Sequence, residues 1–194
     1  WYIINRIIIA AILIVISQTI IPSQSFAAET PYDPYRQFIP LQMPVLKRHL
    51  RGVWISTVLN LDWPSKETAG LEDDEERIRR SKEELIAYLD MAVSLNMNAV
   101  FFQVSPEGDA LYRSELVPWS RYLTGVFGKD PGFDPLQFII EQARQRNLEI
   151  HAWFNPYRVS MSTAKNIKNS LEIEKSVYRE HPEWIKTAAN RFVI

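Results

Sequence analysis

The sequence predicts an α/β fold built on a parallel sheet, and three observations predict it. A strand-turn pattern recurs at Arg51–Val58 (RGVWISTV), Asn98–Asp109 (NAVFFQVSPEGD) and Leu148–Arg158 (LEIHAWFNPYR). Two amphipathic helical stretches separate these segments, and parallel neighbours need a crossover of that kind. Each strand also ends in polar and aromatic residues, at the edge where parallel sheets bind ligands. Ser56, Gln103, Glu107, Asp109, Asn155, Tyr157 and Arg158 stand there.

Taken in chain order, the N-terminus reads first as a targeting segment. Arg6 precedes an unbroken apolar run from Ile7 to Ile16, Pro22 breaks any helix, and Ser25-Phe26-Ala27 offers the small residues a signal peptidase reads. Residues 1–27 therefore read as a secretory signal cleaved between Ala27 and Ala28, and the protein as exported. The alternative, a membrane anchor, wants about 20 apolar residues, and this run is shorter. No stable membrane insertion is expected after cleavage. Residues 28–47 carry Pro31, Pro34, Pro40 and Pro44 and read as a linker. Residues 48–194 form the globular part. With no cysteine, the chain has neither disulfides nor a thiol nucleophile.

The first strand covers Gly52–Val58. After it, Asp73, Asp74, Glu75 and Glu76 form a solvated helix start, and Ser81 with Glu84 has the spacing of a capping box. Leu85, Leu89, Ala92 and Val93 keep helical spacing, and Asn96 is the stop. The second helix opens more sharply: Asp134 as N-cap, Pro135 at the first position, Gln137 completing a box, and Phe133 with Phe138 as a hydrophobic staple. The strands start 98 − 51 = 47 and 148 − 98 = 50 residues apart, against about 30 for a minimal βαβ unit. The excess lies in the loops after the strands.

Strand parity bears on closure. Val100, Phe102 and Val104 share one face of the second strand, and Phe101, Gln103 and Ser105 the other. In the third, Ile150, Ala152 and Phe154 oppose His151, Trp153 and Asn155; in the first, Val53 and Ile55 oppose Trp54 and Ser56. One apolar face and one aromatic-polar face suit a barrel, whereas an open sheet sandwiched by helices is apolar on both.

The segments RGVWISTVLNLDWPS, NAVFFQVSPEGDALYRSELVPWSRYLTG, DPGFDPLQFIIEQARQRNLEIHAWFNPYRV and HPEW closely resemble the bacterial glycosyl-hydrolase-like family 10 domain, from about Leu50 to Glu183. The resemblance implies an exported (β/α)₈ barrel hydrolase of envelope polysaccharide, with peptidoglycan glycan strands as substrate class. It also exposes two departures. Many members have Arg where this chain has Ser105, and the family's acidic fourth strand (D-G-I-H-F-D-D-Y), the expected source of its catalytic carboxyls, has no match after Tyr157. The expectation is thus the N-terminal part of a (β/α)₈ barrel, about three βα units, inactive alone.

Glycoside hydrolysis needs two carboxyls flanking the bond, so Glu107 and Asp109, just past the second strand, are the catalytic candidates. The alternative reading is ordinary turn chemistry in Pro106-Glu107-Gly108-Asp109; Asp62 carries the same ambiguity. Trp54, Gln103, Asn155, Tyr157 and Arg158 are the substrate-binding candidates, since sugars demand flat apolar faces together with mixed donors and acceptors. The alternatives are a turn pinned by Asn155 and Pro156, and core packing for Trp54, Trp119 and Trp153.

Other chemistries find little support. His49, His151 and His181 lack a second ligand at i+3 or i+4, so no metal site is expected, and His151 reads as an interior hydrogen-bonding residue. No cofactor is expected, as no phosphate loop occurs. A net charge of −1 without a basic stripe argues against nucleic acid. A non-catalytic cell-wall polysaccharide-binding module is the rival from another class. A deacetylase is a third reading, disfavoured by the missing metal ligands. Oligomeric state is not legible.

Overall fold

The computed structural model describes residues 49–162, 167–188 and 191–194. The signal and linker expectations for residues 1–27 and 28–47 lie outside them. The sheet is parallel in the order β1 (Gly52–Ile55), β2 (Ala99–Ser105), β3 (Glu149–Phe154). One register row runs Trp54–Phe101–His151 across all three strands. This is the arrangement of successive βα units in a barrel, although three strands alone do not close one.

Helix α1 (Lys66–Ala69) is short, and α2 (Asp74–Ser94) is the long crossover from β1 to β2. Asp73 caps α2, its carboxylate accepting from Glu75 N at 2.9 Å and Glu76 N at 3.1 Å. The expected Ser81 cap is therefore a correction: Ser81 is buried within α2. Its Glu84 partner instead takes the Ser65 and Thr68 hydroxyls at 2.6 and 2.5 Å, fastening α1 to α2. The spacing fitted a box, but tertiary contacts use both residues. Asn96 has φ 57° just past the end of α2, the left-handed stop that Asn tolerates.

Helix α3 (Pro135–Arg144) starts as expected. Asp134 accepts from Gln137 N at 2.9 Å, and the Phe133 and Phe138 rings meet edge-on at 6.2 Å. The Gln137 side chain turns to Glu141 rather than back to the cap. Between helices and sheet, Val100, Phe102 and Val104 are completely buried against Leu85 and Leu89 of α2 and Ile139 and Ala143 of α3. Each large side chain in that layer contributes roughly 1.5–3 kcal/mol.

The opposite face carries an aromatic ladder. Trp54 stacks on Phe101 at 4.5 Å, Phe101 on His151 at 4.7 Å, and Trp153 meets Trp54 edge-on at 5.2 Å. Gly52 makes room for it, because a Cβ there would lie 2.6 Å from the Phe101 ring. His151 is thus a ring in a stack. The hydrogen-bonding role expected for it is not seen, and its Nε2 lies 3.7 Å from Glu149.

After β3 come α4 (Ile167–Leu171), α5 (Val177–Glu180) and a hairpin of β4 (Lys186–Ala188) with β5 (Arg191–Val193). The hairpin is antiparallel, unlike the parallel main sheet. It folds onto the strand-end segment: Val159 N and Ser160 N both donate to Phe192 O, at 3.0 and 3.1 Å, and Ile194 N donates to Tyr157 O at 2.9 Å.

Candidate functional site

The carboxyl ends of the three strands are tied together by one buried side chain, Gln103. Its Oε1 accepts from Thr57 N and Val58 N, both at 2.9 Å, and from the Ser56 hydroxyl at 3.2 Å. Its Nε2 donates to Asn155 Oδ1 at 2.5 Å. Asn155 N in turn donates to Ser105 O at 2.9 Å, beside the register shift where β2 and β3 part. A glutamine suits this position because one amide can accept from the end of β1 and donate to the end of β3.

Beyond this knot, residues after β3 line an open groove of about 430 Å³. Asn155, Tyr157, Arg158, Ser160, Met161 and, from the hairpin, Arg191 form its polar and flexible wall. Tyr157 is 71% exposed, the most open of these candidates, and Arg158 is half-buried. The structure thus brings Asn155, Tyr157 and Arg158 into one concave surface and places Gln103 directly behind it. Trp54 stands apart, in the ladder row below the Gln103 level. Trp119 lines a separate depression with Phe127 and Lys175.

The two acids past β2 point inward. Glu107 is buried; its Oε1 accepts from Met161 N, and its Oε2 lies 3.6 Å from Arg121 Nε. The Tyr122 hydroxyl sits beside that carboxylate, and burial, then the Glu107 charge, pushes its ionisation upward. Asp109 is fully enclosed, and its Oδ1 accepts from Glu107 N at 2.7 Å. Gly108 between them has φ +64°, which a side chain rarely adopts. Burial pushes the Asp109 carboxyl up to about 6, with the Ser120 hydroxyl and the Glu107 N–H opposing and the Glu107 charge adding. The turn chemistry of this motif is therefore present, and neither acid faces the groove. Asp62 closes its own loop, accepting from Ser56 N at 2.7 Å.

Sequence reasoning missed the groove's far wall. Arg191 lies 33 residues beyond Arg158 in a three-residue strand with no motif, so only the fold joins them. Among the described residues, no cluster of three or more His, Asp or Glu side chains is arranged to hold a metal ion.

A parallel βα sheet with a groove at the end of its third strand matches the βα units of an α/β barrel, whose ligands bind at that edge. Sequence comparison makes the class specific: the chain belongs to the glycosyl hydrolase-like 10 family, whose model matches residues 49–194. It is 42% identical over 150 residues to the protein called glycosyl hydrolase DigH of Escherichia coli (strain K12), covering 75% of this chain and 34% of that protein. It is 49% identical over 144 residues to glycosyl hydrolase YngK of Bacillus subtilis (strain 168), covering 74% of this chain and 26% of that one. The chain thus spans about a third and about a quarter of the length of these two curated relatives.

Proposed function

We propose that the chain forms the sugar-binding part of a glycoside hydrolase acting on bacterial envelope polysaccharide, with peptidoglycan glycan strands as the substrate. The observation that carries this reading is the groove at the strand ends, where the chain of a glycosyl hydrolase family presents an exposed Tyr157 ring beside the Asn155 amide and the Arg158 fork. Flat faces and bidentate donors are what a pyranose needs. Envelope glycan lies outside the cytoplasm, and the apolar run at Ile7–Ile16 supports export. Exported protein should begin at Ala28, as N-terminal sequencing would report; an intact N-terminus recovered from the membrane would contradict it.

A second reading, a binding module without catalysis, gains from one observation. Hydrolysis needs a pair of carboxyls facing the scissile bond, and Glu107 and Asp109 are both turned into the protein. Residues 1–194 are accordingly expected to bind glycan and to release no soluble sugar products.

Titration of peptide-free glycan strands into the chain tests the groove. Tyr157→Ala should weaken binding by about 1–3 kcal/mol, the range of one stacking or hydrogen-bonding contact, and leave the melting temperature unmoved because the side chain is open to solvent. Unchanged affinity with a lower melting temperature would make Tyr157 a packing residue and remove the groove from the account.

A further inference from the structure

The groove has a chemical bias that its hydrogen bonds determine. Backbone amides cannot be reassigned, and two of them, Thr57 N and Val58 N, point at one atom of the Gln103 amide. That atom must be the acceptor oxygen, so Gln103 presents its NH₂ to Asn155, and Asn155 must answer with its own oxygen. The remaining atom of the Asn155 amide, Nδ2, is a donor, and no described residue accepts from it. Gln103 thereby fixes which half of Asn155 is offered to the groove.

Two arginines stand in the same wall. Neither Arg158 nor Arg191 forms an ion pair among the described residues, and the same holds for Arg113, Arg144 and Arg179. But Arg113 and Arg144 share their depression with Asp134 and Glu141, whereas Arg158 and Arg191 share theirs with no acid. No side chain lining the groove carries a carboxylate. The nearest acid linked to that wall, Glu107, spends its charge inward on Met161 N and Arg121. Two unopposed guanidinium groups and an outward amide donor select a ligand with acceptor oxygens and negative charge.

We infer that this groove takes the carboxylate of an acidic sugar, held by Arg158 and Arg191, with Gln103 acting as the positioning residue that keeps the Asn155 donor turned toward it. The inference rests on the groove being a glycan site, and adds which sugars it prefers. A sugar carboxylate can come from a lactyl ether, as in N-acetylmuramic acid, or from the ring, as in a uronic acid. Both supply the same anion.

The test titrates four probes into the full chain at about 50 mM salt, where exposed charges are only weakly screened. They are the N-acetylglucosamine–N-acetylmuramic acid disaccharide, the glucuronic acid–N-acetylglucosamine disaccharide, and the carboxyl-reduced form of each. At least one acid form should bind about tenfold tighter than its reduced counterpart, and which one does so identifies the source. Arg158→Gln and Arg191→Gln should each weaken the acid probe severalfold more than its reduced counterpart, and so remove most of that preference. Gln103→Glu reverses the Asn155 amide and should also lower affinity for the acid probe alone. Asn155→Asp removes the same donor while keeping an oxygen that can accept from Gln103 Nε2, and covers the case in which Gln103→Glu does not fold. The Asn155 side-chain amide resonance should shift when the acid probe is added, a response that a purely structural Gln103–Asn155 bond would not give. Equal binding of acid and reduced forms would overturn the charge preference and leave the glycan reading standing. No binding of any probe would remove both.

Discussion

Glu107→Ala is expected to destabilise the chain by about 3 kcal/mol, measured as a shift in urea midpoint at constant slope. The carboxylate is buried, its Oε1 holds Met161 N at the groove's inner wall, and its Oε2 faces Arg121 at 3.6 Å. Removing it strands a guanidinium whose side chain is only 18% exposed and leaves the part-buried Met161 N–H without its acceptor. The value sits at the low end for breaking a buried pair because Arg121 keeps that contact with water and rests on the Phe127 ring at 5.0 Å. Glu107→Gln retains the acceptor for Met161 N and should cost less than half as much. The pair of variants also separates a strut from a catalytic acid. A strut makes stability track the lost bonds. Glycan hydrolysis seen in the wild-type chain, contrary to expectation, and lost in Glu107→Gln at unchanged stability would show instead that the carboxyl works on substrate.

Asp109→Asn should stabilise the protein at pH 7 by as much as about 3 kcal/mol and flatten its stability between about pH 4 and 6. Burial raises the folded carboxyl from 3.8 to about 6. In that window the native state binds more protons than the unfolded chain, so stability falls as pH rises and levels off above about 6. Asparagine carries no charge to bury, and its oxygen can still accept from Glu107 N. The surface helix start works in the opposite direction. Glu76 is held down at about 2 by Arg79 and Arg80, and Asp74 is lowered by Lys129 and Arg77, so their contribution fades as pH drops. The readout is therefore the difference between wild type and variant across pH. A difference that does not grow between pH 4 and 6, or a variant less stable at pH 7, would place the Asp109 charge in a better-solvated setting than its burial describes.

The fold was legible where local chemistry and tertiary need coincide. Asp134 followed by Pro135 can scarcely be anything but a helix start, and Val100, Phe102 and Val104 alternate against Phe101, Gln103 and Ser105 because only one face of β2 meets α2 and α3. It was illegible where the same residue types serve distant partners. Ser81 and Glu84 sit at capping-box spacing, yet the Ser81 carbonyl accepts from the Trp63 indole at 2.8 Å and Glu84 binds α1. The hairpin carrying Arg191 gives no pattern at all, since three-residue strands are too short to alternate.

The candidate site divides along the same line. Asn155, Tyr157 and Arg158 were readable because a strand end followed by Asn-Pro-Tyr-Arg concentrates donors and a ring in one turn. Gln103 was readable as important and not as buried: its parity matched the mouth, but its bonds to Thr57, Val58 and Asn155 depend on the register of three strands. The inward turn of Glu107 and Asp109 depends on Arg121 and Met161, which lie 14 and 54 residues away in sequence.

We propose that the groove after β3 is where this member of the glycosyl hydrolase-like 10 family holds glycan. Backbone hydrogen exchange, with and without peptide-free peptidoglycan glycan strands, tests it most directly. Slowed exchange is expected to be confined to residues 155–162 and 191–194, and to need a higher glycan concentration in Tyr157→Ala. Protection centred on the Trp119 depression, or no protection anywhere at saturating glycan, would contradict it.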